Sequence, residues 1–247
     1  HRDLHSFPTR RSSDLSRLGE ITKVRTKGMV PVNGKRMIDY LLDFFDLDFF
    51  DQVFIVGGFH YEDLRNHVQE KGLANVRVLE NPDYLKGNIF TLMTALKEFR
   101  GDSFLITNVD HIYPRVMFEQ MRKSLSGIRA MCDFDRTLTD DDMKIKLRRD
   151  GRCIELISKQ LKEFDCGYIG MTYVDASHES IYRRSVEKTL EKVGDKAVAE
   201  NVLQYLAENP DTAPQICDLS RIGWYEVDTV EDLVKAEKGL IADKNFQ

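Results

Sequence analysis

Several classes of protein are excluded by what this sequence lacks. Its four cysteines, Cys132, Cys153, Cys166 and Cys217, lie far apart and form no C-x-x-C pair. Neither a zinc site nor a disulfide framework is expected from them, and they read as reduced thiols of a cytoplasmic protein. No stretch approaches the ~18 apolar residues that a membrane span requires. Net charge is −5, from 36 basic and 41 acidic residues, so there is no basic footprint for nucleic acid. An anionic small molecule would have to be met by a local cluster of cations instead. No internal repeat, linker or low-complexity segment follows residue 15.

One absence is local. The segment Ser16 to Lys35, SRLGEITKVRTKGMVPVNGK, carries Arg17 and Lys27 ten residues apart. No apolar strand with a Gly-x-Gly turn precedes it, although backbone amides in such a turn are what wraps the phosphates of a nucleoside triphosphate. That place is taken by HRDLHSFPTRRSSDL, which has three arginines, three serines and no periodic apolar pattern. Its stretch FPTRRSSDL looks like a translated sequencing-library adapter, so residues 1–15 are read as a non-native or disordered segment and set aside. A natural basic arm is the alternative. Residues 16–247 are then expected to form the folded domain, with its first strand and glycine-rich loop largely missing.

From residue 35 onward, helix-like and strand-like segments alternate, which predicts an α/β fold around a mostly parallel sheet. Lys35 to Phe50 reads as the first helix, QVFIVG (Gln52 to Gly57) as a buried strand, and Tyr61 to Gly72 as a polar helix. Val76 to Glu80 and SFLITN (Ser103 to Asn108) read as further strands, with a helix from Gly87 to Phe99 between them. A helix over Pro114 to Leu125 starts with proline where proline is tolerated. Ile128 to Phe134, Met143 to Arg148 and Cys153 to Ser158 are strands in close succession, so an antiparallel flap is expected in the second half. Helices over Glu179 to Glu191, Lys196 to Glu208 and Val230 to Leu240, with a short strand at Trp224 to Val227, complete the pattern.

From Ser16 onward the chain resembles the sugar-phosphate and alcohol-phosphate nucleotidyltransferases, nearest to the phosphocholine and inositol-1-phosphate cytidylyltransferases. The family opens with G-x-G-S-R-L and, about eight residues later, P-K-G-M/L-V-x-V. This sequence keeps Ser16, Arg17, Leu18, Lys27, Gly28, Met29, Val30 and Val32, but has Thr26 in place of the proline and lacks the glycines. The likeness continues in ENPDYLKGNIFTLMTAL (Glu80 to Leu96), ITNVDHIY (Ile106 to Tyr113) and WYEVDTVEDLVKAE (Trp224 to Glu237), in family order. It implies a Rossmann-like, mostly parallel sheet of the nucleotide-diphospho-sugar transferase type. It also implies an enzyme that joins a nucleoside monophosphate, from CTP by preference, to a phospho-alcohol or sugar phosphate, releasing pyrophosphate.

Bringing two anions together makes positioning and charge neutralisation the main tasks. By the resemblance, Arg17 grips the leaving phosphates and Lys27 sits near the α-phosphate; alone, either would read as a solvated surface cation. Asp110 ends a hydrophobic strand, where ligands bind in open α/β sheets, and a carboxylate there suits Mg²⁺. Asp228 precedes a helix and reads equally as its N-cap or, by the resemblance, as the second metal ligand. Ser16, Asn81 and Asn88 match positions on the nucleotide side, where amides could read a base edge or a ribose hydroxyl; loop capping is the competing role for the asparagines. Lys159, or its neighbour Lys162, resembles a lysine that reaches the acceptor phosphate, and Gly167 is a candidate wall of the acceptor site. His111 reads as a flanking residue.

One motif points elsewhere. IRAMCDFDRTLTDD (Ile128 to Asp141) resembles the first signature of haloacid-dehalogenase-type phosphatases, with Asp133 as nucleophile and Asp135 as acid. Over a hundred residues of organised α/β sequence precede it, and in a nucleotidyltransferase Asp133 to Asp142 would be a solvated loop leading into the flap. A catalytically degenerate nucleotide-binding protein is a further alternative if residues 1–15 are native. Genomic DNA decides that: the codons upstream of Ser16 are expected to encode an apolar strand and a Gly-x-Gly turn. Finding the present fifteen residues in an uninterrupted genome would overturn the expectation.

Overall fold

The computed structural model describes residues 18–246, the side chain of Glu20 excepted. The described chain begins with a helical turn, α1 (Glu20–Lys23), and a 3-10 turn over Lys27–Met29. Strands β1 (Pro31–Val32) and β2 (Lys35–Arg36) then pair antiparallel. Asn33 and Gly34 join them with φ of 49° and 79°, the left-handed pair that a two-residue hairpin turn demands. The helix expected from Lys35 therefore starts later, as α2 (Met37–Phe44), and a separate 3-10 turn covers Leu47–Phe49. Its buried face is Met37, Ile38, Leu41, Leu42 and Phe44, the spacing of an amphipathic helix against a core.

A β-α-β unit follows: β3 (Val53–Gly57), α3 (Tyr61–Glu70) and β4 (Val76–Glu80), the strands parallel and in register from Val53↔Val76 to Gly57↔Glu80. Next come α4 (Ile89–Leu96), β5 (Phe104–Thr107), β6 (His111–Ile112), α5 (Arg115–Met121) and β7 (Ile128–Asp133). The hairpin β8 (Lys144–Leu147) with β9 (Ile154–Ser158) is the antiparallel element expected in the second half. After it run β10 (Cys166–Val174), α6 (Glu179–Val193), α7 (Ala199–Ala207), β11 (Gln215–Asp218), β12 (Tyr225–Glu226) and α8 (Val230–Ala242).

Nine residues long, β10 is the spine of the largest sheet. It is antiparallel to β7 on one side and, on the other, to β8 at its start and β5 at its end. β11 adds parallel to β7. The architecture is thus α/β with a mixed sheet, in which β3–β4 and β7–β11 supply the parallel pairs. Among the described residues β3 is hydrogen-bonded to β4 alone and β5 to β10 alone. Val53 to Val56 and Phe104 to Thr107 are half-buried despite their apolar sequence.

Alternation along the central strands sends side chains to two cores. Met131, Ile169 and Met171 face Phe44, Phe45, Met117 and Phe118 of α2, α5 and their flanks. Ile128, Ala130, Cys132, Cys166 and Val174 face Leu92, Tyr182, Val186, Val202 and Leu206 of α4, α6 and α7. A third, smaller cluster ties Leu18, Val30, Val32 and Met37 to Ile112, Val227, Ala236 and Leu240, fixing the N-terminal segment against α8.

The start of α7 docks on the loop before α4 through backbone bonds from Gly87 N to Asp195 O (2.7 Å) and Ile89 N to Ala197 O (3.3 Å). A β-carbon on Gly87 would lie 2.0 Å from the Ala197 carbonyl oxygen. Backbone cannot yield there as a side chain would, so Gly87→Ala is expected to cost about 2 kcal/mol and lower Tm by roughly 4–8 °C in a thermal melt.

Candidate active site

Two carboxylates meet one ammonium at the end of the sheet. Asp110 immediately precedes β6, and Asp228 lies two residues beyond β12. Those strands pair antiparallel, Tyr225↔Ile112 and Glu226↔His111, and Val227 N donates to Asp110 O at 2.9 Å. This short ladder is what brings two aspartates so distant in sequence to the same point. Lys27 arrives on its 3-10 turn, which abuts the same strand end: a β-carbon on Gly28 would lie 3.1 Å from Val109. Lys27 Nζ donates to Asp110 Oδ2 at 2.8 Å and makes a second short hydrogen bond to Asp228 Oδ1.

The helix following Asp228 has its own cap. Thr229 Oγ1 accepts from Asp232 N (3.1 Å) and Asp232 Oδ2 accepts from Thr229 N (3.0 Å), a reciprocal capping box. The N-cap role considered for Asp228 thus belongs to Thr229, and the Asp228 carboxylate is directed at Lys27.

Electrostatics follow from this arrangement. Burial works against charge on Lys27, yet Asp110 and Asp228 raise its pKa above the ordinary lysine range. Burial likewise disfavours ionised Asp110, but Lys27 and His111 hold its carboxyl far below the usual carboxylate range. His111 is buried and its Nδ1 lies 2.6 Å from Asp110 Oδ1. Burial opposes its protonation, and the adjacent Asp110 outweighs that and pushes the imidazole up. His111 is therefore a direct partner of Asp110 rather than a flanking residue. Glu226, next to this group, is pushed up by burial.

Of the other residues singled out in the sequence, Ser16 and Arg17 lie outside the described residues. Asn81 is buried, and its amide is engaged internally: Nδ2 donates to Thr91 Oγ1 (3.0 Å) and Oδ1 accepts from Asp83 N (2.9 Å). Asn88 Oδ1 accepts from Ala199 N at 2.8 Å, clamping the start of α7 to the loop before α4. Lys159 directly follows β9, half-buried, within electrostatic reach of Glu200 in the first turn of α7. Lys162 is exposed. Gly167 is buried between Asp133 and Lys144 in the sheet, and a β-carbon there would strike Leu138 at 2.7 Å. Its small size accommodates the 134–142 loop, so as a site wall it acts through that loop.

Asp133 is not a solvated residue. It is 7% exposed; Oδ2 accepts from Trp224 Nε1 (3.0 Å), and Oδ1 accepts from the amides of Asp135 and Arg136. A carboxylate committed in this way is no free nucleophile, and the phosphatase reading loses its centre. Trp224, Arg136, Glu226 and Glu200 were not selected from sequence; only Trp224, the sole tryptophan, carried a compositional signal.

Paired carboxylates and a lysine thus meet at the strand ends of an α/β sheet. Residues 16–208 match the MobA-like NTP transferase domain, and the chain belongs to that family. It is similar to proteins named "Bifunctional IPC transferase and DIPP synthase". The Rubrobacter xylanophilus protein is 27% identical over 76% of this chain and 41% of its own length, and that of Archaeoglobus fulgidus is 28% identical over 76% and 35%. The chain thus spans less than half the length of these relatives. Among solved structures, it shares its fold with the inositol-1-phosphate CTP transferase of T. maritima (TM-score 0.74, 16% identity, 92% of this chain and 94% of that one). It also shares it with the CTP:phosphocholine cytidylyltransferase of Streptococcus pneumoniae (TM-score 0.71, 21% identity, 91% and 94%).

Removing Lys27 would leave two carboxylates facing each other. Lys27→Met is expected to destabilise the fold by about 2–3 kcal/mol at pH 7, less than the ~3–5 kcal/mol of a fully buried pair because the group is about a quarter exposed. The folded-state pKa of Asp110 is depressed, so its contribution is full above the unfolded value of about 4 and is lost progressively as pH falls from there toward the folded value. The gap in Tm between the two proteins should therefore be full near neutrality and narrow below about pH 4, as the variant's carboxylates protonate. An unchanged gap from pH 7 to pH 3 in melting curves would contradict this.

Proposed function

We propose that this chain is a nucleotidyltransferase that joins CMP, taken from CTP, to a phospho-alcohol or sugar phosphate. The observation that supports it best is the convergence of Asp110 and Asp228 on Lys27 in a member of the NTP transferase family. An acceptor phosphate oxygen forms a bond to the α-phosphorus of CTP while the bond from that phosphorus to the α–β bridging oxygen breaks, and pyrophosphate departs with the electron pair. Lys27, charged at any physiological pH, would stabilise the negative charge that builds around the α-phosphorus. Arg17 is proposed for the leaving phosphates and Ser16 for the nucleotide. Asn81 and Asn88 would serve the nucleotide side by holding their loop, and Lys159 would take the acceptor phosphate, with Gly167 behind the loop that borders it.

The two aspartates also suit Mg²⁺. Their oxygens already converge on one cation, the Lys27 ammonium, and an all-oxygen pair matches an ion held by one or two carboxylates together with substrate phosphates. Among the described residues no group of three or more His, Cys, Asp or Glu side chains forms a full cage, which fits an ion completed by its substrate. When bound, Mg²⁺ would neutralise phosphate charge and orient the leaving group. Among the described residues no helix is long and apolar enough to cross a membrane, and the four free thiols support placing the reaction in the cytoplasm.

The names of the relatives suggest the acceptors to try first, inositol 1-phosphate and phosphocholine. With Mg²⁺ and CTP, a coupled assay is expected to show pyrophosphate release that depends on the acceptor. Asp110→Ala and Lys27→Ala should each reduce it by about 10²–10³-fold. Equal turnover by Asp110→Ala, or release indifferent to every phospho-alcohol offered, would sink the reading.

A further inference from the structure

The phosphatase-like segment and the sole tryptophan meet next to Asp110. Trp224 is 9% exposed and immediately precedes β12. Its indole N–H donates to Asp133 Oδ2, and Asp133 is itself fixed by two backbone amides of its own loop. The indole stacks on the His111 ring, with centroids 5.2 Å apart and planes 12° from parallel, and the Arg136 guanidinium lies 3.9 Å over the same indole. Arg136 also stands 3.8 Å from Asp142 and 3.9 Å from Glu226.

His111 is confined from other directions. It stacks on Tyr113, with centroids 5.6 Å apart. At Gly170, where the β10–β7 register shifts, φ is +80°, and a β-carbon would lie 3.0 Å from His111 Nε2. The ring plane is therefore set by its neighbours before it meets Asp110. A carboxylate's terminal torsion is broad and nearly two-fold, so Asp110 does not orient itself. With Oδ1 on His111 and Oδ2 on Lys27, its plane is fixed at both oxygens.

We propose that Trp224 is a positioning residue for Asp110, acting through the His111 ring, with Asp133 as its anchor. The DFDR segment, Asp133 to Arg136, thereby has a part in the site without touching substrate. The proposal rests on Asp110 and Asp228 being the carboxylates that hold a divalent cation. Partners that orient a metal-binding group commonly change metal affinity by about 10–100-fold when lost.

Mn²⁺ binding to the whole chain, followed by electron paramagnetic resonance, tests this without turnover. Trp224→Leu, which removes both the stacking face and the indole N–H, is expected to weaken Mn²⁺ binding at least about tenfold, while Trp224→Phe, which keeps a ring against His111, stays within about threefold. Weakening in the leucine variant with rescue by phenylalanine is a pattern that general loss of packing would not give. If Trp224→Leu does not fold, the wild type suffices: because Trp224 is the only tryptophan, a saturable change in its emission on Mg²⁺ titration is expected. Emission that stays constant while Mn²⁺ binds, a folded leucine variant within twofold of wild type, or a phenylalanine variant as weak as the leucine one would each overturn the clamp. Failure of the wild type to bind Mn²⁺ at all would instead remove the metal reading, and the clamp with it.

Discussion

A single ammonium between two carboxylates organises this molecule. Lys27 comes from the N-terminal segment, Asp110 from the start of β6 and Asp228 from the approach to α8. Around these three the third apolar cluster closes, joining Leu18, Val30 and Val32 to Ile112, Val227 and Leu240. The apolar contacts hold the segments together, and the charges decide how they meet. An ion pair taken out of water contributes little net stability, because desolvation consumes most of the Coulomb gain. What it supplies here is placement: two carboxylates and an ammonium from three separate parts of the chain are held at one end of the sheet.

The surrounding structure keeps those oxygens available. Asp228 would satisfy the orphan amides of α8 if nothing else did, but the Thr229–Asp232 capping box takes that work. Asp110 would turn freely if His111 did not meet it, and His111 would tilt if Trp224 and Tyr113 did not stack on it. The sheet's longest strand enters at the same place, since the positive-φ Gly170 lets β10 pass close to the imidazole. Each carboxylate that faces the Lys27 ammonium is relieved of a local structural duty by a neighbour.

How much of this was legible in the sequence depends on the range of the interaction. Strands such as QVFIVG and SFLITN, the helices, and Asp110 at the end of a buried strand announce themselves through local pattern. The Asn33-Gly34 hairpin was equally local, yet the apolar run beginning at Met37 masked it and drew the helix forward to Lys35. Lys27 and Asp228 stand out only through likeness to a family, since their spacing from Asp110 carries no periodic signal. Contacts made only in three dimensions were not visible. Asn88 serves Ala199, Gly167 yields to Leu138, and Asp133 holds Trp224. In each case the residue type is visible in the sequence and its partner is not, because a partner tens of residues away leaves no mark on local sequence.

Charge balance at the site then bears on how a triphosphate would enter. Asp110, Asp228 and Glu226 are gathered near Lys27, His111 and Arg136, so acidic and basic groups already face one another before any ligand arrives. Burial disfavours the ionised carboxyl of Glu226 and pushes it up. A nucleoside triphosphate adds several negative charges to surroundings of low dielectric, where each uncompensated one is costly. Lys27 Nζ has three N–H donors and gives two of them to Asp110 and Asp228, so on the proposed function the third would be the one to meet phosphate. On the proposed function, the ion pair seen in the structure holds the ammonium where it would meet phosphate, and a divalent cation at the two carboxylates would offset the charge that the nucleotide adds.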